Sequence, residues 1–314
     1  MENLEIALEQ EKKLKYPFDM TSKHPFPQGE ENFNKWLVSE YFKNGTVEAV
    51  FRKYRYDIPI SYAQYQRVLD KWGIVKTAGP NSKLAESLEF FSYLAKENIP
   101  FEKLYKKMPP SFRTSAVTLY RILGYMKEGI TRRIGVALVL TPYNSNTKVL
   151  IAHDISTPRI ELGKSFGSIS LPMGYARKRD TRKVNILRIL QQEVFTKDVI
   201  GATFPHYVIP DFPEPFMYLD IADVRVSVFH ITLPKNLSRK NFFSSYKLKD
   251  YLFEDKKNIL ENIQGRNYRA GVVDAVKGYS KYLGLVERNL VINPLQTLSL
   301  LNKDLATITV DLEI

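Results

Sequence analysis

Residues 134–140, Ile-Gly-Val-Ala-Leu-Val-Leu, form an unbroken run with no charged or hydrogen-bonding side chain. Seven residues are far too few to cross a bilayer as a helix, which takes about 20. An apolar run this short reads as a strand buried on both faces, so its sheet must be covered on both sides. A Pro-Tyr-Asn-Ser-Asn turn follows, and Lys148–Ala152 returns as a second strand. Gly167–Pro172 reads as a third strand, and Val224–Thr232 alternates as a half-buried strand does. A helix over 270–283 closes the unit.

Between the third strand and Val224 the chain reads GYARKRDTRKVNILRILQQE, from Gly174 to Glu193. Asp180 is the expected N-cap of a helix whose apolar stripe is Val184, Leu187, Leu190 or Gln191, and Val194. Arg188, Ile189, Gln192 and Glu193 then share the other face, because residues three or four apart are helix neighbours. Gly174, five residues, Asp180, seven residues and Arg188 repeat the spacing of the Nudix box, in which an acidic cluster follows the arginine. The stretch resembles that box, and the resemblance extends over about residues 130–290. It implies an α/β/α domain around a mixed sheet, with helix glutamates that hold Mg²⁺ against a pyrophosphate. Here Ile189 and Gln192 stand at two of the three acidic positions and only Glu193 keeps a carboxylate. Mg²⁺ takes hard oxygen ligands, usually one or two carboxylates with water and substrate oxygens. The expectation is a domain without catalytic residues, metal or cofactor, and so not an enzyme.

The loop before the helix points the same way. Arg177, Lys178, Arg179, Arg182, Lys183 and Arg188 stand against Asp180 alone. Such a field disfavours a dication and favours an anion, and arginine grips phosphate oxygens with paired hydrogen bonds. Arg177, Lys178, Arg179, Arg188, Gln192 and Glu193 are the expected phosphate- or nucleotide-binding residues. The bland alternative is a solvated basic loop beside an ordinary amphipathic helix. The catalytic alternative is a divergent Nudix hydrolase in which Glu193 holds Mg²⁺ with Asp180, Glu161 or Asp198.

Residues 33–130 read as short helices separated by sharp turns, after an N-terminal arm over 1–32. Phe33–Lys43 stops at Asn44-Gly45, Thr46 caps Val47–Arg55, and Ser61 caps Tyr62–Trp72 with Gln64 at the capping-box position. A second group follows, with helices over 84–97, 101–107 and 115–128. Each group resembles a helix-turn-helix unit, so the fold class expected is α+β: tandem helical units, then a Nudix-like domain over 131–290 and a tail over 291–314. In such units the third helix enters the major groove. That nominates Tyr62, Gln64, Tyr65 and Arg67, and in the second group Ser115, Thr118 and Arg121; Gln can read adenine and Arg guanine. Val68, Leu69 and Trp72 take the core-facing positions. The combination resembles the Nudix-related transcriptional regulators of bacteria, with the domain order reversed. A helical bundle that binds protein or caps the second domain is the plainer reading of the same helices.

The balance of charge fits a polyanionic partner. Across 314 residues the formal net charge is +12, spread over both halves, which suits nucleic acid, DNA more than RNA. There is no cysteine, so thiol catalysis and cysteine-held zinc are excluded, and the four histidines (24, 153, 206, 230) make no ligand pair. His230 reads as a packed strand residue. The segment Met1–Glu11 is acidic and lacks the pattern of a signal peptide, so a cytoplasmic, nucleoid or nuclear protein with no membrane contact is expected. A third reading makes both halves protein- or RNA-binding surfaces, with Phe242, Phe243 and Tyr246 stacking bases; core packing is the plainer role for those rings. The final Ala306–Leu312 could pair as a strand, including on a second copy in a homodimer.

Overall fold

Strand β1 (Arg133–Thr141) is buried from Gly135 to its end and lies inside a five-stranded sheet. The computed structural model describes residues 26–76, 131, 133–158, 164–262, 264–290 and 293–306. The sheet runs β4 (Met173–Tyr175), β1, β6 (Val224–Thr232), β5 (Met217–Ile221) and β8 (Leu295–Leu298). β1 pairs parallel with β6, and β5 with β8, while β4 runs antiparallel to β1 and β5 antiparallel to β6, so the sheet is mixed. A second, antiparallel sheet holds β3 (Ile169–Ser170), β2 (Lys148–Asp154) and β7 (Leu248–Asp255).

Side chains alternate across a strand, and β1 supplies two cores in this way. Ala137 and Val139 join one with Val224, Val226, Val228 and the helix Val272–Glu287. Val136, Leu138 and Leu140 join the other with Phe229, Ile231 and the helix Arg182–Glu193. A helix on each face covers the sheet, as the charge-free run requires. Gly271 caps the first of these helices at φ 87°, and a Cβ there would lie 2.3 Å from Ile221 Cδ1, so only glycine fits.

The N-terminal part is helical. We label its helices α1 (Glu30–Asn44), α2 (Val47–Lys53) and α3 (Tyr62–Lys71). Gly45 stops α1 in the left-handed conformation, Thr46 caps α2, and Ser61 and Gln64 form the full capping box on α3. Leu37, Tyr41, Val50, Phe51, Tyr65 and Leu69 make its core, which Val199 of the second domain completes. Leu69 is fully buried, and Val68 and Trp72 pack beside it. The second helical group, with Ser115, Thr118 and Arg121, lies outside the described residues, as do Glu161 and residues 307–314. Ala306 ends a helix, Leu300–Ala306, rather than beginning a strand. The described architecture is α+β, helices first and a mixed sheet after them.

Candidate functional site

The Gly174 motif crosses from strand to helix. Gly174 sits in β4, where a Cβ would come within 3.1 Å of Ile189 Cδ1 and 3.8 Å of Glu193 Oε1. The strand therefore lies close over the C-terminal end of the motif helix, which we label α4 (Arg182–Glu193). Its N-cap is Thr181, whose side chain accepts from the Val184 N–H, and not Asp180. Asp180 instead forms an ion pair with Arg188. Both residues can accept from a helix terminus, but a carboxylate facing a buried guanidinium gains more from the charge than from the cap.

Of the stripe expected for this helix, Leu190 and Val194 are fully buried in the core and Leu187 packs against it, but the buried face is wider than that stripe. Ile186, Ile189 and Leu190 enter the sheet core, whereas Val184 and Leu187 are only half-buried. The polar face is buried as well, against residues 73–76 that follow α3. Arg188 is 2 % exposed; its Nε donates to the Lys76 carbonyl at 2.9 Å and its other nitrogens to Asn185 and Asp180. Gln191 donates to the Gly73 carbonyl at 2.8 Å and accepts from the Val75 N–H at 2.9 Å. Gln192 donates to the Val75 carbonyl at 3.2 Å and accepts from Lys247 Nζ at 2.8 Å. Helix periodicity could not show this, because a strap of backbone satisfies polar side chains as water does. Arg188 and Gln192, expected to hold phosphate, are occupied as struts between the two parts of the chain.

Glu193 is enclosed too. Its Oε2 accepts from the Met173 N–H at 2.7 Å, and only 6 % of the residue is exposed. Burial pushes its carboxyl above the usual range; Lys247 opposes that, Asp154 adds to it, and Arg269 and the Met173 N–H oppose it. Asp154 at the end of β2 is 2 % exposed, 3.3 Å from Lys164 and 3.5 Å from Arg269, and accepts from both the N–H and the hydroxyl of Ser156. Burial and then Arg269 pull the Lys164 ammonium below its ordinary value, while Asp154 and Glu193 pull it up. Two buried carboxylates thus share the charge of Lys164, Arg269 and Lys247. A divalent ion does not fit this donor set: one oxygen of Glu193 is taken by backbone, and Asp154 is already matched by two cations. Among the described residues no three His, Asp or Glu side chains converge as metal ligands, Asp180 and Asp198 included. Asp154, Lys164, Lys247 and Arg269 were not found from the sequence; they lie far along the chain and share no spacing.

The remaining nominated residues divide by exposure. Arg177, Lys178 and Arg179 are exposed, as a phosphate-binding loop needs. Arg182 pairs with Glu214 and Lys183 with Asp211 at 3.1 Å. On α3, Tyr62, Gln64 and Arg67 are exposed, though the Gln64 carbonyl oxygen is held by the Ser61 N–H at 2.9 Å. Tyr65 has no exposed surface and its hydroxyl donates to the Leu37 carbonyl at 2.6 Å, so it is core and cannot touch a base. Phe243 is likewise core, against Phe195, Tyr251 and Phe253, and Tyr246 is bonded to Ser39 at 2.8 Å. His230 bridges Thr141 and Tyr279, each at 3.0 Å; burial and then Lys256 lower its pKa to about 4, so it is a neutral packed residue.

The fold and motif together define an α+β protein whose mixed sheet is covered by a helix that keeps one carboxylate, Glu193, of the three the spacing calls for. No protein-family model matches the chain, and no curated protein matches it in sequence. Among solved structures it is similar to a MutT protein from Methanosarcina mazei Go1, at 14 % identity and TM-score 0.33 over 48 % of this chain and 95 % of that one. A NUDIX hydrolase from Nitrosomonas europaea is similar at 14 % identity and TM-score 0.35, over 54 % and 77 %. The NUDIX domain of Shewanella oneidensis NrtR, solved with ADP ribose, is similar at 14 % identity and TM-score 0.32, over 54 % and 99 %.

Proposed function

We propose that this chain is a nucleic-acid-binding protein whose Nudix-like domain binds phosphate groups without hydrolysing them. The observation that carries the reading is the enclosure of Glu193. The one carboxylate left at the motif's acidic positions accepts a backbone N–H and lies among Lys247, Arg269 and Lys164, so fixed cations stand where a divalent ion would be needed. Among the described residues no set of carboxylates converges that would hold a metal for water activation or leaving-group stabilisation, which supports binding over hydrolysis. The exposed Arg177, Lys178 and Arg179 supply charge for phosphate oxygens, and Arg188, Gln192 and Glu193 hold the helix that presents them. The formal charge of +12 supports a polyanionic partner. On the helical unit, Tyr62, Gln64 and Arg67 are the surface positions that duplex DNA would meet, which supports a regulator-like role.

Two assays test the reading. Phosphate release from a panel of nucleoside diphosphate derivatives, ADP-ribose included, with Mg²⁺ or Mn²⁺ should stay at the level of the protein-free control. Steady turnover that Glu193→Gln abolishes would establish the divergent hydrolase instead. Anisotropy titration with duplex DNA should give binding that weakens linearly with the logarithm of salt concentration. A flat salt response would remove nucleic acid from the proposal.

A further inference from the structure

Phe212 is 92 % exposed, the most exposed of the large hydrophobic side chains described. A bare ring of this size normally folds back onto the protein, because burying it is worth a few kcal/mol. Here the ring stands in water. Phe212 sits in Pro210-Asp-Phe-Pro-Glu-Pro215, and each proline fixes φ near −65°. Val208 and Ile209 are buried before the loop, and Pro215 and Phe216 after it. The two acids of the loop are tied to the first turn of α4, Asp211 to Lys183 at 3.1 Å and Glu214 to Arg182. These pairs are exposed and add little stability, but they tie the loop to the start of the helix that the Arg177–Arg179 stretch leads into, three residues upstream. Counting Asp180, which is paired with Arg188, the two segments set five cations against three acids.

A rigid aromatic ring in water next to a cationic stretch is what a single strand of nucleic acid needs: a face for a base and charge for the adjoining phosphates. We propose that Phe212 and the Arg177–Lys183 loop form a binding platform for single-stranded nucleic acid, with a base stacked on Phe212 and phosphates on Arg177, Lys178 and Arg179. Duplex DNA cannot use the ring, since its bases are already stacked. The inference rests on the phosphate-binding role proposed above for the same loop and gives that loop a substrate class.

The test is fluorescence anisotropy of the full chain with a labelled oligothymidylate at several salt concentrations. Phe212→Ala should weaken binding about tenfold, as loss of one stacking contact does, with an unchanged salt slope and an unchanged melting temperature. Phe212→Trp should bind as well as the unaltered protein. Phe166→Ala, which removes a ring 66 % exposed elsewhere, should have no effect. Neutralising Arg177, Lys178 and Arg179 to Gln should reduce the salt slope by about 2. Binding by Phe212→Ala within twofold of the unaltered protein would overturn the platform while the slope change upheld the phosphate loop. An equal loss in Phe166→Ala, or Phe212-dependent binding to phosphatidylserine vesicles in place of the oligonucleotide, would also overturn it. No salt-dependent binding of any nucleic acid would remove both readings at once.

Discussion

The two ends of the Gly174–Glu193 stretch carry similar side chains and do opposite things. Its first half, Arg177 to Lys183, keeps its five cations at the surface. Its second half, Arg188 to Glu193, has every residue buried, four of them polar or charged. In the first half Arg177, Lys178 and Arg179 are exposed to solvent. In the second each donor and acceptor named above is met by the protein itself, by the Gly73–Lys76 strap, Lys247 or the Met173 N–H. A motif position therefore does not fix a role; what covers the position does.

The contrast breaks most visibly at Arg188. Arg188→Met should cost about 3 kcal/mol by leaving Asp180 and the Lys76 carbonyl without their partner, read as a fall in the urea midpoint. A loss below about 0.5 kcal/mol would place Arg188 with the surface loop. Glu193→Ala should cost about 2 kcal/mol by orphaning the buried Met173 N–H, measured the same way.

Glu193→Gln keeps an acceptor for that N–H and sharpens the contrast through pH. The folded-state pKa of Glu193 is raised, so its contribution is fully present below the unfolded value near 4.5 and lost as pH rises through the folded value. Relative to Glu193→Gln, the unaltered protein should lose stability as pH climbs from 4.5 towards neutrality. A difference that stayed flat, or ran the other way, would mean the carboxylate is content as an anion.

Gln191→Ala should cost about 1 kcal/mol and speed hydrogen exchange at the Val75 amide, which Gln191 holds. Neutralising Lys178 and Arg179 should be the smallest change, within about 0.5 kcal/mol of the unaltered stability, while still weakening phosphate binding.

Much of this was legible beforehand. The charge-free Ile134–Leu140 run fixed a strand covered on both faces, and the structure extends it only to Arg133–Thr141. Val224–Thr232 is a strand with those same ends, because period-two alternation persists along it. The caps at Thr46 and Ser61 follow from side chains that satisfy helix donors a few residues away. The strands Met217–Ile221, Leu248–Asp255 and Leu295–Leu298 were not expected. Leu295–Leu298 is an edge strand of four residues that pairs on one side, so it carries little pattern of its own. Tyr65 shows the limit on the helices, since an aromatic with a hydroxyl serves a core or a nucleic-acid surface equally well until its neighbours are known.

Local chemistry settled the elements: apolar alternation, helix caps and the spacing from Gly174 to Arg188 act within a few residues and need no partner from afar. It also settled that two of the motif's acidic positions hold no acid. Only the tertiary structure decided which polar groups are buried and which are exposed. The strap at 73–76 reaches Arg188 and Gln191 across more than a hundred residues of chain, and Asp154, Lys164, Lys247 and Arg269 meet around Glu193 from separate elements. Hydrogen bonds and buried charges depend on distance in space, and a sequence records only distance along the chain.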